Sequence, residues 1–244
     1  MERERLEPLG GGIGILVTEE YRFSADALLL ASFAAPKRGE RVCDLGTGCG
    51  AIPLLWCRTE APEKIDALEL QPAAASLAQR SIAYNHLDGR VRVVCGDWAQ
   101  ATHWLTASSY DRVTCNPPYY PAGTGSVSHT AAVRAARHES GSSSLRGAAR
   151  AAAVLLRSGG VFCLCHRPGR LCEILSVLQD AGMEPKRLRF VQHRADMPPW
   201  LVLCEARKSG RPGLSVLPPL VQWDGREETG EWRSMTDPFG RNRL

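Results

Sequence analysis

Residues 41–50, Arg41-Val42-Cys43-Asp44-Leu45-Gly46-Thr47-Gly48-Cys49-Gly50, constrain this chain more than any other ten. A short apolar run carrying an acid, Asp44, leads into glycine at every second position. Glycine is needed where the backbone takes a positive φ or where another group must approach it closely. A strand, a glycine turn and a following helix predict a βαβ unit, and hence a parallel sheet. Pro53 suits a helix over about 51–58, because the first turn leaves its N–H groups unpaired in any case.

The same alternation continues. Strands are expected at 65–70, 91–95, 112–115 and 161–165, with helices at 72–85, 145–157 and 168–181. Gly159-Gly160 and Gly182 stop the last two helices. Ser24 can cap a helix over 25–35 that Pro36 ends. Residues 186–192 and 201–206 are two strands in succession, so they form an antiparallel hairpin. The expected fold class is α/β and Rossmann-like, a mostly parallel seven-stranded sheet with a closing antiparallel hairpin. Residues 1–208 form one domain that includes an N-terminal helical extension. Residues 209–244, with Pro212, Pro218 and Pro219, form an extended segment packed on it. Residues 120–142, rich in Gly, Ser and Thr, are expected to be a mobile loop.

Thirty basic and 26 acidic residues leave a formal charge of +4, which excludes a polycationic tail. Nearly all the basic residues are Arg, the better residue for bidentate phosphate contacts and base stacking. Nine cysteines lack any paired C-x-x-C spacing. Cys43, Cys95, Cys115, Cys163 and Cys204 lie in strand-like runs, so they are expected to be buried, reduced thiols. No metal site is expected. The charged start, Met1 to Arg5, has no apolar run after it, and no stretch of about 18 apolar residues exists. A cytoplasmic protein that does not enter membranes is the expectation.

Acids stand at three successive strand ends: Asp44, Glu69 and Asp97. Ligands bind at that edge of an open α/β sheet. A dinucleotide loop reads G-x-G-x-x-G, whereas here the third glycine comes one residue early, as Gly46-x-Gly48-x-Gly50. This variant is similar to the methyltransferase loop that holds the methionine half of S-adenosylmethionine. On that likeness, Asp44, Gly46, Thr47, Gly48 and Gly50 form the loop. Glu69, followed by Leu70, can accept both ribose hydroxyls. Asp97, followed by Trp98, can accept from the adenine amino group.

The fourth strand ends in Asn116-Pro117-Pro118-Tyr119-Tyr120. An exocyclic base nitrogen is a poor nucleophile because its lone pair is delocalised into the ring. The Asn116 side-chain oxygen can accept one N–H and the Pro117 carbonyl the other. Two acceptors favour pyramidal nitrogen and aim its lone pair at a methyl donor. Proline fixes φ and so fixes where the carbonyl points. The Tyr119 ring can stack on a planar substrate, with Pro118 and Tyr120 beside it. Asn116 adjoins both cofactor and substrate. The work is positioning and electrostatics. Adenine N6, guanine N2 and a protein glutamine amide all remain open as acceptors.

The chain resembles the bacterial family that methylates N6 of the adenine adjoining the anticodon of valine tRNA. The resemblance runs through Tyr21-Arg22-Phe23-Ser24-Ala25-Asp26-Ala27-Leu28-Leu29-Leu30, the glycine loop and Asn116-Pro117-Pro118-Tyr119. It continues in Ala136-Arg137-His138-Glu139, Arg194-Ala195-Asp196 to Glu205, and Leu217-Pro218-Pro219-Leu220. It implies a class I methyltransferase fold, S-adenosylmethionine and a tRNA partner, with Phe23 and Asp26 closing over the cofactor. Arg134, Arg137 and His138, and Arg187, Arg189 and Arg194, are the expected RNA contacts. Release-factor-type glutamine methyltransferases normally carry an N-terminal helical domain. About 40 residues precede the loop here, which weighs against that alternative.

Overall fold

The computed structural model describes residues 4–59, 62–121, 138–139 and 144–237. The chain opens with an antiparallel hairpin, β1 (Arg5–Gly10) and β2 (Ile13–Val17), turning on Gly10, Gly11 and Gly12, all at positive φ. This corrects the expected N-terminal extension, which is a hairpin followed by a helix. Helix α1 (Ala25–Ala34), β3 (Arg41–Leu45), α2 (Ala51–Trp56), β4 (Lys64–Glu69), α3 (Pro72–Tyr84) and β5 (Val91–Cys95) come next. A 3-10 turn (Trp98–His103), β6 (Tyr110–Cys115) and two short segments, β7 (Tyr120–Pro121) and β8 (His138–Glu139), lead to α4 (Leu145–Leu155). Then come β9 (Leu156–His166), α5 (Leu171–Asp180), β10 (Met183–Gln192) and β11 (Leu201–Lys208).

The main sheet runs β12–β10–β11–β9–β6–β3–β4–β5, where β12 is Ser215–Val216; β13 (Leu220–Val221) also pairs with β10. Strands β9, β6, β3, β4 and β5 are mutually parallel, and β11 and β10 return antiparallel. The seven long strands form the expected class I methyltransferase sheet. The two short ones come from the C-terminal segment, which is more than an extended strap. It adds a further hairpin, β14 (Trp223–Asp224) with β15 (Glu227–Glu228), and helix α6 (Gly230–Thr236).

Two buried clusters hold the layers together, one on each face of the sheet. Leu29, Leu30, Leu54 and Trp56 belong to the cluster under α1 and α2. Leu145, Ala152, Leu155 and Leu178 belong to the cluster under α4 and α5. Helix α1 has almost no polar face: Ala27 to Ala31, Phe33 and Ala34 are all buried, because α2, α6 and β9 all pack on it. Cys43, Cys115, Cys163 and Cys204 are buried free thiols, as expected. Cys95 is not, because β5 is the edge strand and its side chain points to solvent. Arg112 is buried in the sheet with its guanidinium on Glu40 (3.1 Å), a charged pair that is costly to break inside a core.

Strand β3 lies centrally, with β4 on one side and β6 on the other. The chain winds from β3 out to β4 and β5 and then crosses back to β6 on the other side, a reversal that opens a crevice at the C-terminal strand ends. Both the glycine loop and Asn116 lie there.

Trp232 of α6 is 5% exposed and joins the α1 cluster. Trp232→Ala is expected to lower unfolding free energy in urea by about 3–5 kcal/mol. An unchanged midpoint would mean that α6 is a loose appendage.

Candidate functional site

The glycine loop is pinned to the end of β4. Gly46 N–H (2.7 Å) and Thr47 N–H (3.1 Å) both donate to the Leu68 carbonyl. Gly48 N–H donates to Glu69 Oε2 and Gln71 N–H to Glu69 Oε1, each at 2.8 Å. Gly46 has φ +70°, and an added Cβ would come within 2.9 Å of the Trp98 ring. Both backbone conformation and space therefore exclude a side chain there. Gly48, at φ +58°, has no atom within 4 Å of where a Cβ would stand; its surface is open.

Gly46, Gly48, Glu69, Leu70, Asp97, Trp98, Asn116 and Pro118 line one pocket. Eight expected residues therefore meet across four strand ends. Asp97 Oδ1 accepts from Ala99 N–H (2.8 Å), capping the 3-10 turn and holding the acid at the rim. Each Glu69 oxygen keeps a further lone pair beyond its backbone bonds. Burial raises the Glu69 carboxyl, and the backbone N–H groups of Gln71, Gly48 and Leu70 oppose that rise.

Asp44, Thr47, Gly50, Phe23 and Asp26 are not on the pocket wall. Asp44 is buried behind the loop, where Oδ1 accepts from Thr114 Oγ1 (2.6 Å). Its Oδ2 has no hydrogen-bond partner, and neither has the nearby Thr47 hydroxyl. Gly50 packs on Ala78 beneath the loop. Phe23 packs against the α1 core cluster. Tyr21 and Arg22 line the pocket in its place, two residues earlier in the same segment, along with Gln71. Gln71 Oε1 accepts from the Tyr21 hydroxyl (3.3 Å), so the segment before α1 is tied to the end of β4.

Asp26 turns to the catalytic motif instead of the cofactor side. Its Oδ2 lies 2.6 Å from the Tyr119 hydroxyl, which is also 2.7 Å from the atom assigned as Asn116 Oδ1. Cys115 lies opposite Leu164 in the β6–β9 ladder, which brings Cys165 Sγ within 3.1 Å of the same Asn116 atom. The Tyr119 ring is half-buried. Arg167 covers it, with the guanidinium carbon 5.0 Å from its centroid, and His166 lies beside it at 5.1 Å. Pro117 is buried at the strand end.

The expected RNA contacts divide. Arg187 bonds Glu205 (2.6 Å) and stacks on Phe33 (4.7 Å). Arg189 bonds Glu231 (2.6 Å) and the Pro218 carbonyl (3.1 Å). These contacts hold α1 and the C-terminal segment to β10. Arg194 is exposed, on the Gly225 carbonyl at 3.1 Å. Arg134 and Arg137 lie outside the described residues. Tyr120 and His138 are placed by backbone only, opposite each other in the β7–β8 pair. Among the described residues no group of three or more His, Cys, Asp or Glu could hold a metal ion. No helix there is long and apolar enough to cross a membrane.

The strand order, the glycine loop and Asn-Pro-Pro-Tyr at one strand edge define a class I methyltransferase. The family model described as the methyltransferase small domain matches residues 22–143, half of the 244-residue chain. The chain belongs to that family. It is 34% identical over 105 residues to a protein named tRNA1(Val) (adenine(37)-N6)-methyltransferase from Haemophilus influenzae, covering 42% of this chain and 44% of that one. The chain thus spans less than half the length of that relative. A protein of the same name from Yersinia enterocolitica is 26% identical over 209 residues, covering 79% of this chain and 68% of its own. In fold, the chain is similar to a solved structure titled a predicted O-methyltransferase from Agrobacterium tumefaciens. The TM-score is 0.71 at 23% identity, covering 87% of this chain and 95% of that one.

Burial raises the Asp44 carboxyl from 3.8 to about 7, with the hydrogen bond from the Thr114 hydroxyl pulling the other way. The folded protein therefore keeps a proton that the unfolded chain releases near pH 4. Stability from this site is present at low pH and is lost as pH rises through about 7. Asp44→Asn should gain stability over wild type in urea between about pH 5 and pH 8. A constant difference across that range would contradict the assignment.

Proposed function

We propose that this protein transfers a methyl group from S-adenosylmethionine to the exocyclic N6 of an adenine in tRNA, at the position adjoining the anticodon of valine tRNA. The observation that carries this reading is the shared pocket: Asn116 and Pro118 face the same space as Gly48 and Glu69. The names of the relatives supply the choice of adenine and of tRNA.

The residues present fit the cofactor. The bare Gly48 leaves room for close approach, and Glu69 has lone pairs left for vicinal hydroxyls. Bound there, the cofactor supplies an electrophilic methyl with its own leaving group. The chain's residues need only orient the acceptor. The Asn116 carboxamide and the Pro117 carbonyl take the two amino hydrogens and direct the lone pair. The methylated amino group would shed one N–H proton to solvent, so no strong base need be held here. A base in folded RNA must be unstacked to reach the pocket.

Asn116→Ala should lower methyl transfer to unmodified tRNA by about 10²–10³-fold, with cofactor binding by calorimetry unchanged. Nucleoside mass analysis should show N6-methyladenosine in the wild-type product. N2-methylguanosine instead would move the substrate to guanine. Methyl incorporation into a release factor and not RNA would move it to glutamine.

A further inference from the structure

The Asp26, Tyr119, Asn116 and Cys165 side chains meet although they come from α1, the motif and β9. Their protons can be counted. The Tyr119 hydroxyl has one proton, and its oxygen lies 2.6 Å from an Asp26 oxygen, 2.7 Å from an Asn116 amide atom and 3.4 Å from Cys165 Sγ. A carboxylate only accepts. It also stands in the first turn of α1, where the helix N-terminus favours negative charge. Burial, Cys165 and Asp26 all raise the Tyr119 hydroxyl well above its ordinary value, so it keeps its proton. That proton goes to Asp26, because a charged acceptor outcompetes a neutral amide oxygen.

An amide oxygen 2.7 Å from the Tyr119 oxygen would then face it with no proton between them. Carboxamide oxygen and nitrogen are nearly isosteric, and their placement follows from the network. Reversing the amide resolves the clash. Asn116 Nδ2 then donates one hydrogen to Tyr119 Oη and the other to Cys165 Sγ, at the 2.7 and 3.1 Å separations. The second amide heteroatom has no protein partner among the described residues, and Asn116 lines the pocket. In the reversed orientation that atom is the oxygen, the acceptor that an incoming amino group needs.

We propose that Asp26 is a positioning residue that acts through the Tyr119 hydroxyl to hold the Asn116 carboxamide with its oxygen facing the pocket. This assigns Asp26 to the acceptor side of the reaction and not to the cofactor. It gives Tyr119 a task that its hydroxyl performs in addition to its ring. It also explains the unexposed thiol of Cys165, which serves as a soft acceptor for the second amide hydrogen. The catalytic consequence rests on the methyl-transfer reading; the amide orientation does not.

The chain contains three asparagines, Asn85, Asn116 and Asn242. Selective ¹⁵N-asparagine labelling therefore gives three side-chain NH₂ pairs, and Asn116→Ala identifies one. In the wild type the Asn116 pair should exchange slowly with solvent, and in Tyr119→Phe quickly. Equal exchange in both overturns the orientation. For activity, Asp26→Asn and Tyr119→Phe should each lower kcat about 10- to 100-fold, with cofactor affinity unchanged. The double variant should be no worse than the weaker single one, because both cut one relay. Losses that multiply, or that track cofactor affinity, overturn the positioning role. A wild type that methylates no RNA or protein defeats the proposed function, while the exchange measurement still decides the amide.

Discussion

The site depends on the bonds between the glycine loop and the end of β4. The Leu68 carbonyl takes two loop N–H groups and the Glu69 carboxylate takes a third. Without these bonds, three glycines in a row of five would be a floppy connection with a large entropy of ordering. With them, the loop has one shape, and its bare surface at Gly48 opens into the crevice. Trp98 closes it from the far side so tightly that Gly46 can carry no side chain. The Glu69 carboxylate and the open surface at Gly48 are therefore positioned by the same contact.

The charges around this centre are mostly internal. The guanidiniums of Arg187 and Arg189 tie β10 to Glu205, Phe33, Glu231 and Pro218. Arginine is suited to this because its flat fork bonds a carboxylate while its face lies on an aromatic ring. Arg167 is used similarly, over the Tyr119 ring, with its NH1 on the Trp200 carbonyl. The β10–β11 connection is thus linked to the catalytic motif.

Much of the fold was legible because strand and helix periods alternate and glycines mark the turns. The seven long strands and the crevice at their ends followed from that pattern. The N-terminal hairpin was not legible, because Gly10, Gly11 and Gly12 carry no side-chain pattern and Pro8 interrupts the first strand. Helix α6 was hidden by its short length and by the prolines before it. Within the site, residues at strand ends were found by position: Glu69, Asp97 and Asn116 all reach the pocket. Long-range side-chain direction was not accessible to the sequence. Phe23 and Asp26 point away from the pocket wall, Tyr21 and Arg22 point into it, and Cys165 meets Asn116 only through the β6–β9 register.

The central claim is that one crevice holds the methyl donor against an amide acceptor. A crystal structure of the protein with S-adenosylhomocysteine tests it most directly. The account predicts the ribose hydroxyls on Glu69, the methionine portion along Gly46 to Gly48, and the sulfur directed toward Asn116. A ligand bound elsewhere, or one whose sulfur points away from Asn116, would contradict it.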